Sequence, residues 1–242
     1  DEKMTTEIAE FISRNKLKIF IHSPYIINLS SPEKSKCKFA IHVCKEHLKY
    51  SDDLGMQGVV IHVGKALKQS QEIAINIMRE NIYEILMSGY ATSTSPLILE
   101  TPAGQGTELL TTYEEFRDFY NSIILDVNNS KFKTIKINKI VNNNNKNNEK
   151  EIKEMKVKIK DIFKICIDTC HVFATGYQPH KYLTDFIYDN DSLAIIHFNG
   201  SKTPLNSRKD RHELFTKSTN KISFEQMLKI AKDFDIAKVI ED

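Results

Sequence analysis

The sequence has no apolar run longer than a strand, about five to eight residues, whereas a bilayer-spanning helix needs roughly 20. It opens Asp-Glu-Lys, without the charged-then-apolar leader of a secretory signal. Cysteine is scarce: Cys37, Cys44, Cys166 and Cys170 fall in two short stretches without zinc-ribbon spacing. Four thiols so placed are not a disulfide framework, and an intracellular, reducing compartment is expected. Nuclear, organellar, bacterial cytoplasmic and viral settings all fit. An excess of charge of one sign is lacking too. The formal net charge is +2, so any DNA-binding face would have to be a local patch.

What is there is ordinary for a folded chain: 40% hydrophobic and 27% charged residues in a length that can bury a substantial core. Short aliphatic runs recur at Lys18–Ile21, Gly58–Ile61, Pro96–Leu99, Ile165–Ile167, Leu193–Ile196 and Lys238–Ile240. Strands buried on both faces read this way. Helical patterns separate them. Glu2–Asn15 sets Ile8, Phe11 and Ile12 on one face, and later segments do the same with Phe39, Val43 and Cys44, and with Ile73, Ile77 and Met78. Thr112 with Glu115 predicts a capping box before Phe116, Phe119 and Tyr120; Ser223 with Gln226 predicts another before Met227, Leu228 and Ala231. Alternation of this kind predicts an α/β fold with a parallel sheet, either doubly wound or a (β/α)₈ barrel. One stretch breaks the rhythm: residues 138–150, with the run Asn142–Asn145, read as a low-complexity, disordered surface insertion in an otherwise single domain spanning 1–242.

The residue that follows each aliphatic run carries the chemical information. These are His22, His62, Glu100, Asp168 (with His171 three residues on), His197 and Glu241; Asp210 and His212 lie in the loop after the fifth run. Strand carboxyl ends meet on one face of a parallel α/β fold, and sites are built there. Each residue alone has a plain reading: a hydrogen-bonded loop histidine, Asp168 as a helix cap, Asp210 paired with Arg208 or Arg211. Together, five imidazoles and four carboxylates point to a metal centre, and nine donors exceed the four to six that one ion takes, so two or three ions are expected. Such a cluster suits phosphoryl displacement. His42, His47 and His180 read as structural, Cys166 as packed, and Cys170 as a neighbour of the site.

Three segments then resemble the signatures of the endonuclease IV family: Leu99–Gly106 (LETPAGQG), Cys166–His171 (CIDTCH) and Asp210–His212 (DRH). His22–Leu29, Ile61–Gly64 and His197–Asn199 resemble its remaining ligand segments, in order. The resemblance implies a TIM barrel and a zinc-dependent hydrolase that repairs double-stranded DNA. It would cut 5′ to abasic sites, leave a 3′-hydroxyl and clean blocked 3′ ends. It implies three zinc ions, with manganese possible at one position. His22, His62 and Glu100 would hold the first. Glu100 would bridge to a second on Asp168, His197 and Glu241, while His171, Asp210 and His212 would hold the third. Glu100 would be catalytic as the bridging ligand that positions an attacking hydroxide. Tyr25 and Ile26 would enter the gap left by the missing base, and Lys202, Arg208 and Arg211, with Lys209, would grip phosphates. A monomer is expected.

Departures from the pattern accompany it. Six strands are legible where a barrel has eight, which predicts a chain without the family's first two strand–helix units and last helix. Position 200 is Gly where the family usually has Asp, and Thr216–Asn220 replaces a Gly-rich turn. Two other functions stay open. One is a metal-dependent sugar isomerase or epimerase on the same barrel; the other is an abasic-DNA-binding protein without catalysis.

Overall fold

The structure, a computed structural model, describes residues 2–129, 135–137, 153–155, 157–189 and 192–241. The chain begins with α1 (Glu2–Arg14) and β1 (Ile21–His22), then α2 (Lys34–Asp53), β2 (Val59–His62), α3 (Gln71–Met87), β3 (Leu97–Glu100) and α4 (Tyr113–Asn129). A short antiparallel pair, β4 (Ile135–Ile137) and β5 (Lys153–Met155), follows. It brackets the Asn-rich stretch at 138–150, which lies outside the described residues. Next come α5 (Ile159–Ile162), β6 (Phe163–Asp168), α6 (Thr169–Ala174), α7 (Pro179–Asp189) and β7 (Leu193–His197). A second small ladder, β8 (Gly200–Ser201) with β9 (His212–Glu213), precedes α8 (Phe224–Asp233) and β10 (Ala237–Val239).

Six strands, β1, β2, β3, β6, β7 and β10, form one sheet in that order, and every pairing is parallel. A doubly wound sheet reverses its strand order at a switch point. Here the order follows the chain throughout, which is the winding of a TIM barrel, and the described residues build an open parallel half-barrel of it. No described helix is long and apolar enough to cross a membrane.

Period-two alternation along the strands explains why the site sits where it does. Val59, Ile61, Leu97, Leu99, Ile165, Ile167 and Ile196 face the helices in the main core, while Val60, Ile98, Cys166 and Ile195 form a separate inner layer with Phe20 and Ala237 packed against it. Two residues further along, on the same inner face, stand His22, His62, Glu100, Asp168 and His197. Register holds them level, with His62 opposite Glu100 and Asp168 opposite His197. A polar ring thus caps an apolar plug.

The helices follow their expected positions, but not always their expected faces. Thr112 and Glu115 form the reciprocal box, at 3.1 and 3.2 Å, and Phe116, Phe119 and Tyr120 are buried. Ser223 caps α8 by accepting the Gln226 N–H, but the Gln226 side chain turns to Gln178 instead of completing a box. Along α2 the buried stripe is Cys37, Ala40, Ile41, Cys44, Leu48 and Ser51, with Phe39 exposed; along α3 it is Ala74, Met78, Ile82, Ile85 and Leu86, with Ile73 exposed. The stripes pass through Ala40 instead of Phe39 and through Ala74 instead of Ile73, while Cys44 and Met78 are buried as expected. In α8, Met227 and Ile230 are buried while Leu228 and Ala231 are exposed; in α1 Ile12 is buried, with Ile8 and Phe11 exposed.

Candidate metal centre

All nine residues picked out at the strand ends and in the 210–212 loop come together. Glu100, fully buried at the end of β3, is the hub. Its Oε2 lies 3.1 Å from His22 Nε2 and 3.1 Å from His62 Nδ1, and its Oε1 lies 2.7 Å from His197 Nδ1. His197 Nδ1 is also 3.2 Å from Glu241 Oε2. On the other side, His171 Nε2 lies 3.3 Å from Asp210 Oδ2, and His212 Nε2 lies 3.1 Å from Asp210 Oδ1 and 3.6 Å from Asp168 Oδ2. Donor atoms close enough to share an ion occur as His22–Glu100–His197, as Glu100–Asp168–His197–Glu241 and as His171–Asp210–His212. Cys170 also approaches Asp168 and His212 in this way, although sequence reasoning leaves it as a bystander.

Neighbouring backbone sets the imidazoles. His171 Nδ1–H donates to the Thr101 carbonyl at 2.8 Å, and His22 Nδ1–H donates to the Ser23 carbonyl at 3.1 Å, so in each ring Nε2 is turned into the centre. Fixing one ring nitrogen on a carbonyl is how proteins prepare the other as a ligand. Asp168 accepts the His171 N–H at 2.9 Å, so it is both the helix cap and a member of the cluster.

The electrostatics have the sign of a cation site. Burial alone would disfavour charge on Glu100, yet His197, His22 and His171 hold its carboxyl well below the usual range. Burial likewise opposes charge on His171, His22 and His212, yet the carboxylates around them hold each above its ordinary value, and His197 is held up by the Cys166 thiol first and by Glu100 second. The carboxylates thus hold positive charge on the imidazoles between them. Asp168 stands apart, raised by complete burial, and His62 is pushed down to about 4 by burial.

Three buried nitrogens, His62 Nε2, His171 Nε2 and His212 Nε2, have no aligned hydrogen-bond partner among the described residues. His171 Nε2 and His212 Nε2 have Asp210 at 3.3 and 3.1 Å, whereas a buried group with no partner, as His62 Nε2 is, costs about 1–3 kcal/mol unless something fills the place beside it. Imidazole nitrogen mixed with carboxylate oxygen suits Zn²⁺ or a similar transition-metal ion, and the donor set fits such ions.

Around the cluster, Tyr25 is 54% and Ile26 77% exposed. Tyr25 is not splayed outward: its ring stacks on His62, its hydroxyl donates to Asp210 at 2.6 Å, and Lys65 Nζ lies 5.4 Å over the ring. Lys202, Arg208, Lys209 and Arg211 are all exposed, on the loop that delivers Asp210 and His212. Arg208 has φ 53°, a left-handed conformation rare for a side-chain-bearing residue, pinned by its N–H on the Ala174 carbonyl at 2.9 Å. The plain pairing of Asp210 with arginine is not adopted; its carboxylate serves Tyr25, His171 and His212. His180 pairs with Asp233 at 2.7 Å on the surface, His47 meets Ser23 Oγ at 3.2 Å, His42 is exposed, and the four thiols are buried.

Sequence reasoning missed Thr101, Thr169 and Asn199 as contributors, although each lies one or two residues from a cluster member within a quoted motif. Thr101 Oγ1 accepts the Asp168 N–H at 3.0 Å. The departure at position 200 has a steric cause. A Cβ there would lie 2.4 Å from the Glu213 carbonyl and 2.6 Å from Asn220 Oδ1. Asn220, from the loop that replaces the Gly-rich turn, fills that space and accepts the N–H groups of Ser201 and Ile222 at 2.9 and 3.1 Å.

Comparison with known proteins agrees with this architecture. A curated relative, the probable endonuclease 4 of Aster yellows witches'-broom phytoplasma (strain AYWB), is 30% identical over 215 residues, which is 86% of this chain and 61% of the relative. The chain thus spans about three fifths of that relative's length. Among solved structures, endonuclease IV from Thermus thermophilus superposes with a TM-score of 0.71 at 20% identity, over 98% of this chain and 74% of the other. A D-tagatose 3-epimerase-like protein superposes with a TM-score of 0.67 at 17% identity, over 99% of this chain and 76% of the other. The sequence profile of the xylose isomerase-like TIM barrels matches residues 1–131 and 139–241, nearly the whole chain, and the chain belongs to that family.

Proposed function

We propose that this chain carries the catalytic face of an endonuclease IV-type DNA-repair hydrolase, which cuts the phosphodiester 5′ to an abasic site in duplex DNA, leaves a 3′-hydroxyl and clears blocked 3′ ends. The observation that carries the proposal is the convergence of five imidazoles and four carboxylates at one strand-end face, with Glu100 at its hub and His62 joined to it at 3.1 Å. Zinc ions, three per chain with manganese possible at one, would be held by His22, His62 and Glu100, by Glu100, Asp168, His197 and Glu241, and by His171, Asp210 and His212. Such ions supply Lewis acidity and an activated water at neutral pH.

The chain's own groups define the rest. No thiol serves as nucleophile: Cys166 and Cys170 are buried and pushed up to about 12. In this reading the attacking reagent is water, activated as such ions activate it. Glu100, kept ionised in a buried setting, ties His22 and His62 on one oxygen to His197 on the other. Tyr25 and Ile26 stand at the rim where a gap in the base stack would arrive, and the 202–211 loop offers cations to the backbone that carries it.

The epimerase reading has the superposition in its favour, but that shows the fold alone. An epimerase also needs carboxylates free to move substrate protons, whereas Glu100, Asp168 and Glu241 are each tied to histidine or to Asn199. The test is a side-by-side incubation of the zinc-loaded chain with an abasic duplex and with a ketose. Scission without epimerisation supports the proposal. Epimerisation, or tight lesion binding without scission, overturns it in favour of one or the other rival.

A further inference from the structure

Asn199 is 1% exposed and every polar atom it carries is engaged. Its Nδ2 donates to Asp168 Oδ2 at 2.6 Å and to Glu241 Oε2 at 3.1 Å, and its Oδ1 accepts the Glu241 N–H at 2.9 Å. Its backbone N–H donates to Thr169 Oγ1 at 2.8 Å, and its carbonyl accepts from the same hydroxyl. The Glu241 N–H can only donate, so the atom facing it is the oxygen, and the two amide hydrogens must face the carboxylates.

From this geometry we infer that Asn199 is a positioning residue. Its side-chain amide holds the Asp168 and Glu241 carboxylates as a pair set for one cation, an inference that rests on the metal-centre reading above. Asp168 ends β6 and Glu241 follows β10, and β7 lies between those strands in the sheet. A device is needed to bring the two carboxylates together against their mutual repulsion. The amide does so with one hydrogen for each and no net charge. Lysine or arginine there would neutralise the pair and compete with the ion, and aspartate would add a further carboxylate with nothing to donate. By also accepting the Glu241 N–H, Asn199 sets the main chain of that residue as well as its side chain. Ligand orientation by hydrogen-bonded neighbours is typically worth about 10- to 100-fold in metal affinity.

The test is a Co²⁺ titration of the chelator-stripped chain, read by visible absorption, for wild type, Asn199→Asp and Asn199→Ala, with thermal melts of each. The expected result is that one class of ion binds about 10- to 100-fold more weakly in both variants, the other ions bind as in wild type, and cleavage loses kcat with KM for an abasic duplex unchanged. Wild-type affinity for every ion in a folded variant overturns the inference. Failure of the wild-type chain itself to bind Co²⁺ overturns the metal-centre reading instead. A readout independent of any variant is the ¹⁵N-labelled side-chain amide of Asn199 during a Zn²⁺ titration of the wild type. The inference predicts a shift with the ion that fills the Asp168–Glu241 site, and an amide resonance that ignores all the ions contradicts it.

Discussion

The ring of Tyr25 lies on the imidazole of His62, centroids 4.0 Å apart and 17° from parallel, while its hydroxyl donates to Asp210 at 2.6 Å. One rim residue thereby ties His62 to Asp210. Under the proposed function, DNA arriving at this rim would have to accept the arrangement or displace it.

Replacing Tyr25 by Ala should weaken binding to an abasic duplex by about 1–3 kcal/mol, the usual worth of aromatic stacking at nucleic acids, or roughly 5- to 150-fold. Tyr25→Phe keeps the stack and loses only the bond to Asp210, so it should stay close to wild type. Fluorescence anisotropy with a labelled duplex measures both. A Tyr25→Ala protein that binds as tightly as wild type removes the residue from the interface.

The metal-free protein should have its stability maximum between about pH 4.5 and 6.5. His22, His171 and His212 are held above 6.5, so their contribution is complete below that value and is lost as pH rises through their folded values. Glu100 and Glu241 are held below 4.5, and Asp210 below 3.8, so theirs is complete above those values and is lost as pH falls. His62, depressed to about 4 by burial, erodes the acid side of the window, and Asp168, raised by burial, works against the carboxylates. Zinc should reverse the alkaline slope, because it binds deprotonated imidazole. Melting curves from pH 4 to 9 with and without zinc test this. A metal-free Tm that climbs steadily from pH 6 to 9 contradicts it.

Gly200 owes its identity to space and not to backbone freedom. Gly200→Ala should destabilise by about 1–3 kcal/mol, because the nearest obstacle is the Glu213 carbonyl of the paired strand, which cannot swing aside as a side chain would. Urea denaturation reads the change directly. A variant as stable as wild type would mean that the β8–β9 ladder yields easily, and that Asp210 and His212 are less firmly delivered than the structure shows.

Much of this arrangement is legible in the sequence, for a definite reason. Strands buried on both faces leave continuous aliphatic runs, and each run stops where the next inward position turns from apolar to ligating: Val60 to His62, Ile98 to Glu100, Cys166 to Asp168, Ile195 to His197. The motifs around those positions suggested endonuclease IV relatives, and curated relatives bear that name. The faces of α2 and α3 were harder to read. Hydrophobicity selects Cys44 and Met78 correctly but also Phe39 and Ile73, whereas the buried faces run through Ala40 and Ala74. Asn199 and Thr169 were invisible for another reason. They act through hydrogen bonds between strands far apart in sequence, and neither composition nor period marks them. The first strand, expected at Lys18–Ile21, is Ile21–His22 in the structure, although the Ile19 carbonyl already accepts the Gln57 N–H at 2.8 Å.

The central claim, that the nine converging residues form a metal centre that hydrolyses DNA beside a missing base, is tested most directly by mapping one scission product. A duplex with a single abasic analogue, end-labelled on the damaged strand, is incubated with the zinc-loaded chain, with and without chelator, and with Glu100→Gln. The account predicts a cut 5′ to the lesion whose 3′ end a polymerase can extend, blocked by chelator and slowed at least about 100-fold in a folded Glu100→Gln protein. An intact strand from fully loaded wild-type protein, or cleavage indifferent to Glu100→Gln, would contradict it.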